Sequence, residues 1–227
     1  MLTKTIKTKR KVGESSPEPT TGTSDSNNSK EKLISAAEYL FVRKGFGGVS
    51  IREIASRAKV NSALINYHFG GKDGLFKVVY ESVAAPMNRS RMQNFERLKS
   101  EIEFSVEDVL RAWVLPMFER PKASHRAPVA DLSLSLGWEH SELTNQMMSD
   151  VYDAVNDAFL SLMETCLPNV PRDELVWRLF FLIGSALTAT RAHERSMLAM
   201  SRGKFDGRDT VEMAEQLIRF AAGGFRE

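Results

Sequence analysis

The chain has 227 residues, 42% of them hydrophobic, with 31 Lys and Arg against 29 Asp and Glu and a single cysteine, Cys166. This suits one small domain joined to a larger one with a substantial core. A lone cysteine excludes an internal disulfide framework, and no run approaches the length of a membrane span. The start, MLTKTIKTKRKV, lacks the apolar stretch of a secretory signal, so a cytoplasmic protein is expected.

Charge is unevenly spread. Residues 1–80 carry 14 Lys and Arg against 7 Asp and Glu, a net of +7, while residues 81–227 carry 17 against 22, a net of −5. Such a gradient favours phosphate binding by the amino-terminal part. Residues 1–29 are rich in Thr, Ser, Lys and Pro and poor in large apolar side chains, which predicts a disordered tail. In the alternative, Lys7, Lys9, Arg10 and Lys11 form an arm along the DNA backbone or in a minor groove.

The segment from Ser50 to Phe76, SIREIASRAKVNSALINYHFGGKDGLF, predicts two short helices and a turn. Ser50 and Glu53 have the spacing of a capping box, and Ile51, Ile54, Ala55 and Ala58 form one apolar face. Periodicity breaks at Lys59 and Val60, where Asn61 offers an acceptor to a second helix over residues 62–68. Val60 and Ile65 fill the space between the helices. Ser62, Ala63, Asn66 and Tyr67 then face outward as candidate DNA readers, Arg52 is a candidate for phosphate or guanine, and His68 serves either a phosphate or a structural role. Gly70, Gly71 and Lys72 make a turn and helix start suited to a DNA phosphate. The GxxxxGK[ST] spacing of a nucleotide-binding loop is missing.

Val60, Asn61, Tyr67, His68, Phe69, Lys72 and Asp73, in that order, resemble the signature of the TetR family of transcriptional regulators. Lys32, Leu33, Ala36, Ala37, Leu40, Phe41, Lys44, Gly45 and Phe46 extend the similarity to the preceding helix, over about 50 residues in all. The resemblance implies an all-α fold, with an amino-terminal three-helix helix-turn-helix domain joined to a larger helical effector-binding and dimerisation domain. Two positions depart from the family pattern. Lys59 stands where Gly is usual, at a cost of about 1 kcal/mol if its φ is positive. Asn66 replaces a common Tyr with an amide able to pair with adenine.

A long helix over residues 72–98, disturbed near Pro86, is expected next, then helices near 105–120, 129–138, 141–166, 172–201 and 208–222. No convincing strand pattern interrupts them, so the chain reads as all-α. Trp113, Met117, Phe118, Trp138, Met148, Tyr152, Trp177, Phe181 and Arg191 are the residues from which a mostly apolar effector pocket would be built, although such residues more often fill a core. Small Gly184 and Ala189, with Leu217 and Ile218 of the last amphipathic helix, are candidates for a four-helix dimer interface, the arrangement the resemblance also implies. The histidines at 68, 125, 140 and 193 show no metal-ligand spacing, and Cys166 reads as a small packed thiol, so neither an enzyme nor a cofactor is expected.

The leading expectation is a homodimeric repressor of a palindromic double-stranded DNA operator, released by an unknown, mostly apolar effector. A sequence-independent architectural DNA protein and an activator of the same fold use the same residues. The effector, the operator and the regulated genes are not written in the chain.

Overall fold

Leu33, Ala36, Ala37, Leu40 and Phe41 recur at helical spacing and form the buried face of α1, Gly22–Lys44. The computed structural model describes residues 22–118, 130, 132–133, 142–190, 194–205 and 209–226. Helix α1 takes in residues 22–29, which composition assigns to the tail; residues 1–21 lie outside the described set. After α1 come α2 (Ile51–Ala58), α3 (Ala63–Phe69), α4 (Lys72–Lys99) and α5 (Val106–Phe118). Then follow α6 (Glu142–Cys166), α7 (Arg172–Ala189), α8 (Glu194–Met200) and α9 (Thr210–Arg226). No strand occurs among the described residues, and none of the helices is long and apolar enough to cross a membrane.

Two separate apolar clusters organise these helices. The first joins α1, α2 and α3 to the first half of α4 through Phe41, Ile54, Ile65, Leu75, Phe76 and Val79. A second joins the end of α4 to α5, α6, α7 and α9 through Phe95, Trp113, Phe159, Leu179, Ile218 and Phe225. Helix α4 has 28 residues, about 42 Å at 1.5 Å per residue, and belongs to both. Pro86 stands inside it without ending it.

Two helices and one cap differ from expectation for local reasons. The helix expected over 172–201 stops at Ala189, because Thr188 and Thr190 donate their hydroxyls to the Gly184 and Leu187 carbonyls and compete with the backbone ladder. Helix α9 is capped by the Asp209 carboxylate, which accepts from the Val211 and Glu212 amides. It runs through Gly223 and Gly224 to Arg226, held by buried Phe225. The capping box read at Ser50 and Glu53 forms only in part: Ser50 Oγ accepts from the Glu53 amide at 3.2 Å, but the Glu53 carboxylate turns to Lys44 at the end of α1. A reciprocal box does occur at the start of α5. There Asp108 accepts from the Ser105 amide at 2.9 Å while its own amide donates to Ser105 Oγ.

Candidate functional site

Helices α2 and α3 form a helix-turn-helix whose turn rests on Lys59. The Lys59 backbone is left-handed, with φ 56° and ψ 44°, a conformation that strains a residue with a Cβ. Its amide donates to the Ser56 carbonyl and the Val60 amide to the Ala55 carbonyl, which closes α2 in a Schellman pattern. Asn61 Oδ1 then accepts from the Ala63 amide at 2.9 Å and starts α3 in a new direction.

Ile65 is the buried anchor of α3, so the opposite side of the helix faces outward. Tyr67 is 80% exposed; Ala63 and Asn66 are exposed beside it and Ser62 is half-exposed. Ser50, Arg52, Asn61 and Lys59 are exposed around the same motif. Two candidate contacts sit differently. His68 Nε2 is buried without a hydrogen-bond partner, its ring edge-on to Tyr67, so that nitrogen faces the interior. The Lys72 ammonium donates to the Val49 carbonyl at 2.9 Å and lies 4.2 Å from the centre of the Phe46 ring, which ties the start of α4 to the loop before α2. Gly74 packs α4 on the end of α3: a Cβ there would fall 1.8 Å from the Phe69 carbonyl oxygen.

The residues nominated for an effector pocket fall in different places. Trp113 and Phe118 are buried in the second cluster with Met117 packed against it, and Met148 and Tyr152 pack against the first. Trp177 and Phe181 stand on the surface. Trp138 and Arg191 lie outside the described residues.

Where the two clusters meet there is a polar seam that sequence reasoning does not find. Tyr80, on α4, shares a hydrogen bond of 2.9 Å with the Tyr152 hydroxyl of α6 and one of 2.7 Å with Ser133 Oγ. Burial pushes both phenols up, so they remain protonated at neutral pH. Asn88 donates from Nδ2 to the Val151 carbonyl, leaving its buried Oδ1 without a partner. Arg91, only 2% exposed, donates from Nε to the Trp113 carbonyl at 2.8 Å and stacks 3.8 Å from the centre of the Trp113 ring. Burial brings its guanidinium down to about 10. The available signal is a charge in an apolar stripe: Tyr80, Ala84, Met87, Arg91, Phe95 and Leu98 repeat every three or four residues.

Helices α7 and α9 present an apolar outer face. Trp177, Phe180 and Phe181 are 62%, 64% and 63% exposed on α7, and Phe220 is 73% exposed on α9. Gly184 lies exposed on α7, where an added Cβ would meet nothing within 4 Å, whereas Ala189 packs against the second cluster. Leu217 and Ile218 are buried inside their own subunit, because they are on the α9 face that meets α5 and α7. Cys166 is half-buried, and burial pushes its thiol up.

Comparison with known proteins matches residues 33–79 to the family described as bacterial regulatory proteins, tetR family. Residues 111–224, half of the chain, match the family described as tetracyclin repressor-like, C-terminal domain. The chain belongs to the TetR family. A relative among curated proteins, the probable HTH-type transcriptional regulator YttP of Bacillus subtilis, is 52% identical over 50 residues, which are 22% of this chain. The match spans about a quarter of that relative's length, 24%. The fatty acid degradation regulator FadR of Bacillus halodurans has the same fold with a TM-score of 0.61 at 16% identity, covering 88% of this chain and 97% of that one. FadR from Bacillus subtilis, solved in complex with stearoyl-CoA, gives 0.59 at 13% identity, covering 86% and 98%. As a TetR-family protein the chain is a helix-turn-helix transcriptional regulator, with a second, helical domain behind its DNA-binding head.

Proposed function

We propose that this TetR-family regulator is a cytoplasmic homodimer that represses from a near-palindromic operator and releases it when an effector binds. The observation that carries the DNA-binding part is the outward face of α3, where Asn66 and Tyr67 stand exposed in the basic half of the chain. In this reading Ala63, Asn66 and Tyr67 meet base edges and the groove wall. Ser50, Arg52, Asn61, Ser62 and Lys72 hold phosphates, and His68 supports α3 from behind.

Dimerisation is supported by the exposed aromatic face of α7 and α9, since contiguous apolar surface on a soluble protein marks an interface. This reading moves Trp177 and Phe181 from the effector pocket to the subunit boundary. A two-fold axis there presents two α3 helices to successive major grooves, about one DNA turn apart.

Effector response is supported by the long helices α4 and α6, which both contribute to the two clusters. A ligand that prefers one arrangement of the clusters shifts the population of head spacings. Gel-shift titration against the chain's own upstream region and a scrambled copy tests the whole reading. Preferential binding to the upstream region, in a 2:1 complex of subunits to operator, is the expected result. Equal affinity for both DNAs would favour a sequence-independent architectural protein, and lower transcription of the target on deletion would identify an activator.

A further inference from the structure

A guanidinium withdrawn from water normally comes with a carboxylate, because the charge otherwise forfeits its hydration uncompensated. Arg91 breaks that pattern. Among the described residues its partners are the Trp113 carbonyl at Nε, the Trp113 ring, and the hydroxyls of Tyr80 and Tyr152 in its surroundings, and no acidic side chain pairs with it. Its two terminal nitrogens therefore retain hydrogen-bonding capacity that the described residues leave unused. Beside it the Trp113 indole N–H is buried without an acceptor and Asn88 Oδ1 without a donor.

We propose that this seam is a binding site for a small, mostly apolar carboxylate, whose head group pairs with Arg91 and accepts from Trp113 Nε1. The proposal rests on the reading of the helical domain as effector-binding, and it names the class of effector. A carboxylate fits the donor set because its two oxygens match the fork of a guanidinium. One buried positive charge balances one negative charge, whereas a phosphate monoester carries nearly two at neutral pH. The apolar remainder suits the surroundings in character, since Phe95, Trp113 and Phe159 belong to the second cluster and Val83 and Ala84 to the first.

A groove of about 500 Å³ between α4 and α6, lined in part by Ala85, Asn88, Met92 and Val151, reaches the seam at Asn88. Asn88 belongs to both groove and seam. The acidic side chains on this groove, Glu81 and Asp150, are both engaged by Lys77, at 3.8 and 2.6 Å, and Arg89 adds a cation to the same wall. An anion approaching Arg91 therefore meets partly neutralised carboxylates.

The position of the seam gives the head group a consequence. An anion at Arg91 draws on residues of both clusters, so its arrival alters how the two halves of α4 are held. The same uncompensated charge makes the empty site a local cost, which the ligand removes.

Calorimetric titration of the full-length protein with decanoate, 1-decanol and decyl phosphate tests the assignment, together with the variant Arg91→Met. Decanoate is expected to bind at least about tenfold more tightly than decanol, and about tenfold more tightly to the wild type than to R91M, the factor one charge-assisted contact supplies. Without ligand, R91M is expected to melt at or above the wild-type temperature. Absence of decanoate binding, equal affinity for decanol, tighter binding of decyl phosphate, or undiminished binding to R91M would each overturn the proposal. Should R91M fail to fold, Trp113→Phe removes the indole N–H together with part of the ring that stacks on Arg91, and unchanged decanoate affinity in that variant overturns it equally. Operator gel shifts separate the two readings. Decanoate binding without effect on DNA affinity supports the anion site and removes effector response through it, whereas operator binding without decanoate binding overturns the anion site and leaves the DNA-binding reading standing.

Discussion

Arg178 donates from Nη1 to the Phe225 carbonyl across 2.7 Å, and this bond holds α7 against the last turn of α9. The two helices are thereby fixed as a unit inside one subunit, through Arg178, Leu179, Ile218 and Phe225, while their other sides carry Trp177, Phe180, Phe181 and Phe220 outward. Replacing Phe180 and Phe220 by Glu places two charges on the proposed two-fold face without touching that bond. The variant is expected to sediment as a monomer at micromolar concentration, with helix content unchanged and operator affinity strongly reduced. Interface anchors of this kind contribute about 2 kcal/mol or more each. A dimer that survives both substitutions would show that the subunits meet elsewhere.

Lys59 offers a test of backbone strain that is separable from DNA binding. Its left-handed φ of 56° is tolerated at a cost that glycine does not incur. Lys59→Gly is expected to raise stability to urea by about 1 kcal/mol. If the Lys59 side chain also meets a phosphate, the same variant lowers the salt dependence of DNA binding by about one unit. A stability unchanged or reduced by the glycine would remove strain from the account of this turn.

Reading and positioning separate at Asn66 and Lys72. Asn66→Ala is expected to cost about 1–3 kcal/mol on the preferred operator and little on random DNA. Lys72→Ala is expected to weaken binding to every sequence and also to lower the melting temperature, because its ammonium is bound to the Val49 carbonyl and set over the Phe46 ring. Parallel measurements on operator and scrambled DNA decide between them. Equal losses for Asn66→Ala on both would withdraw it as a reader.

The Ser105–Asp108 box predicts a pH dependence. Hydrogen bonds from the Ser105 hydroxyl and amide hold the Asp108 carboxyl below its ordinary value of 3.8. A carboxyl depressed in the folded state contributes stability that is present above its unfolded value and disappears as pH falls through the folded one. Ser105→Ala is therefore expected to cost about 1 kcal/mol at pH 7. Urea unfolding should show the gap between wild type and variant narrowing below about pH 4. A gap that stays constant down to about pH 2.5 would mean the carboxylate takes no part.

The head of the protein is legible in the sequence because its signals are local. Capping side chains, the break at Lys59 and Val60, and the apolar positions Ile54, Ala55 and Ile65 all act within a few residues of where they are written. The Lys72 contact escapes such reading for the opposite reason: its partner, Val49, is 23 residues away. The effector domain is legible as helices but not as surfaces. Trp113 and Trp177 have the same composition signal, yet one is buried and the other exposed, since each occupies a different side of its helix relative to a distant neighbour. Arg91 leaves in the sequence only the trace of one charge within the apolar stripe of α4. Its burial depends on α5 and α6 closing over it, which no window of sequence along α4 contains.

The separation of the two apolar clusters has an evolutionary corollary. Substitutions at Ile65 and at Leu179 share no packing neighbour, and effects at such independent positions add. Either cluster is thus free to drift with little effect on the other, provided that α4 and α6, which contribute to both, keep the joint at Tyr80, Asn88 and Arg91. Variation in what the molecule senses and in where it sits on the chromosome then become separately heritable traits.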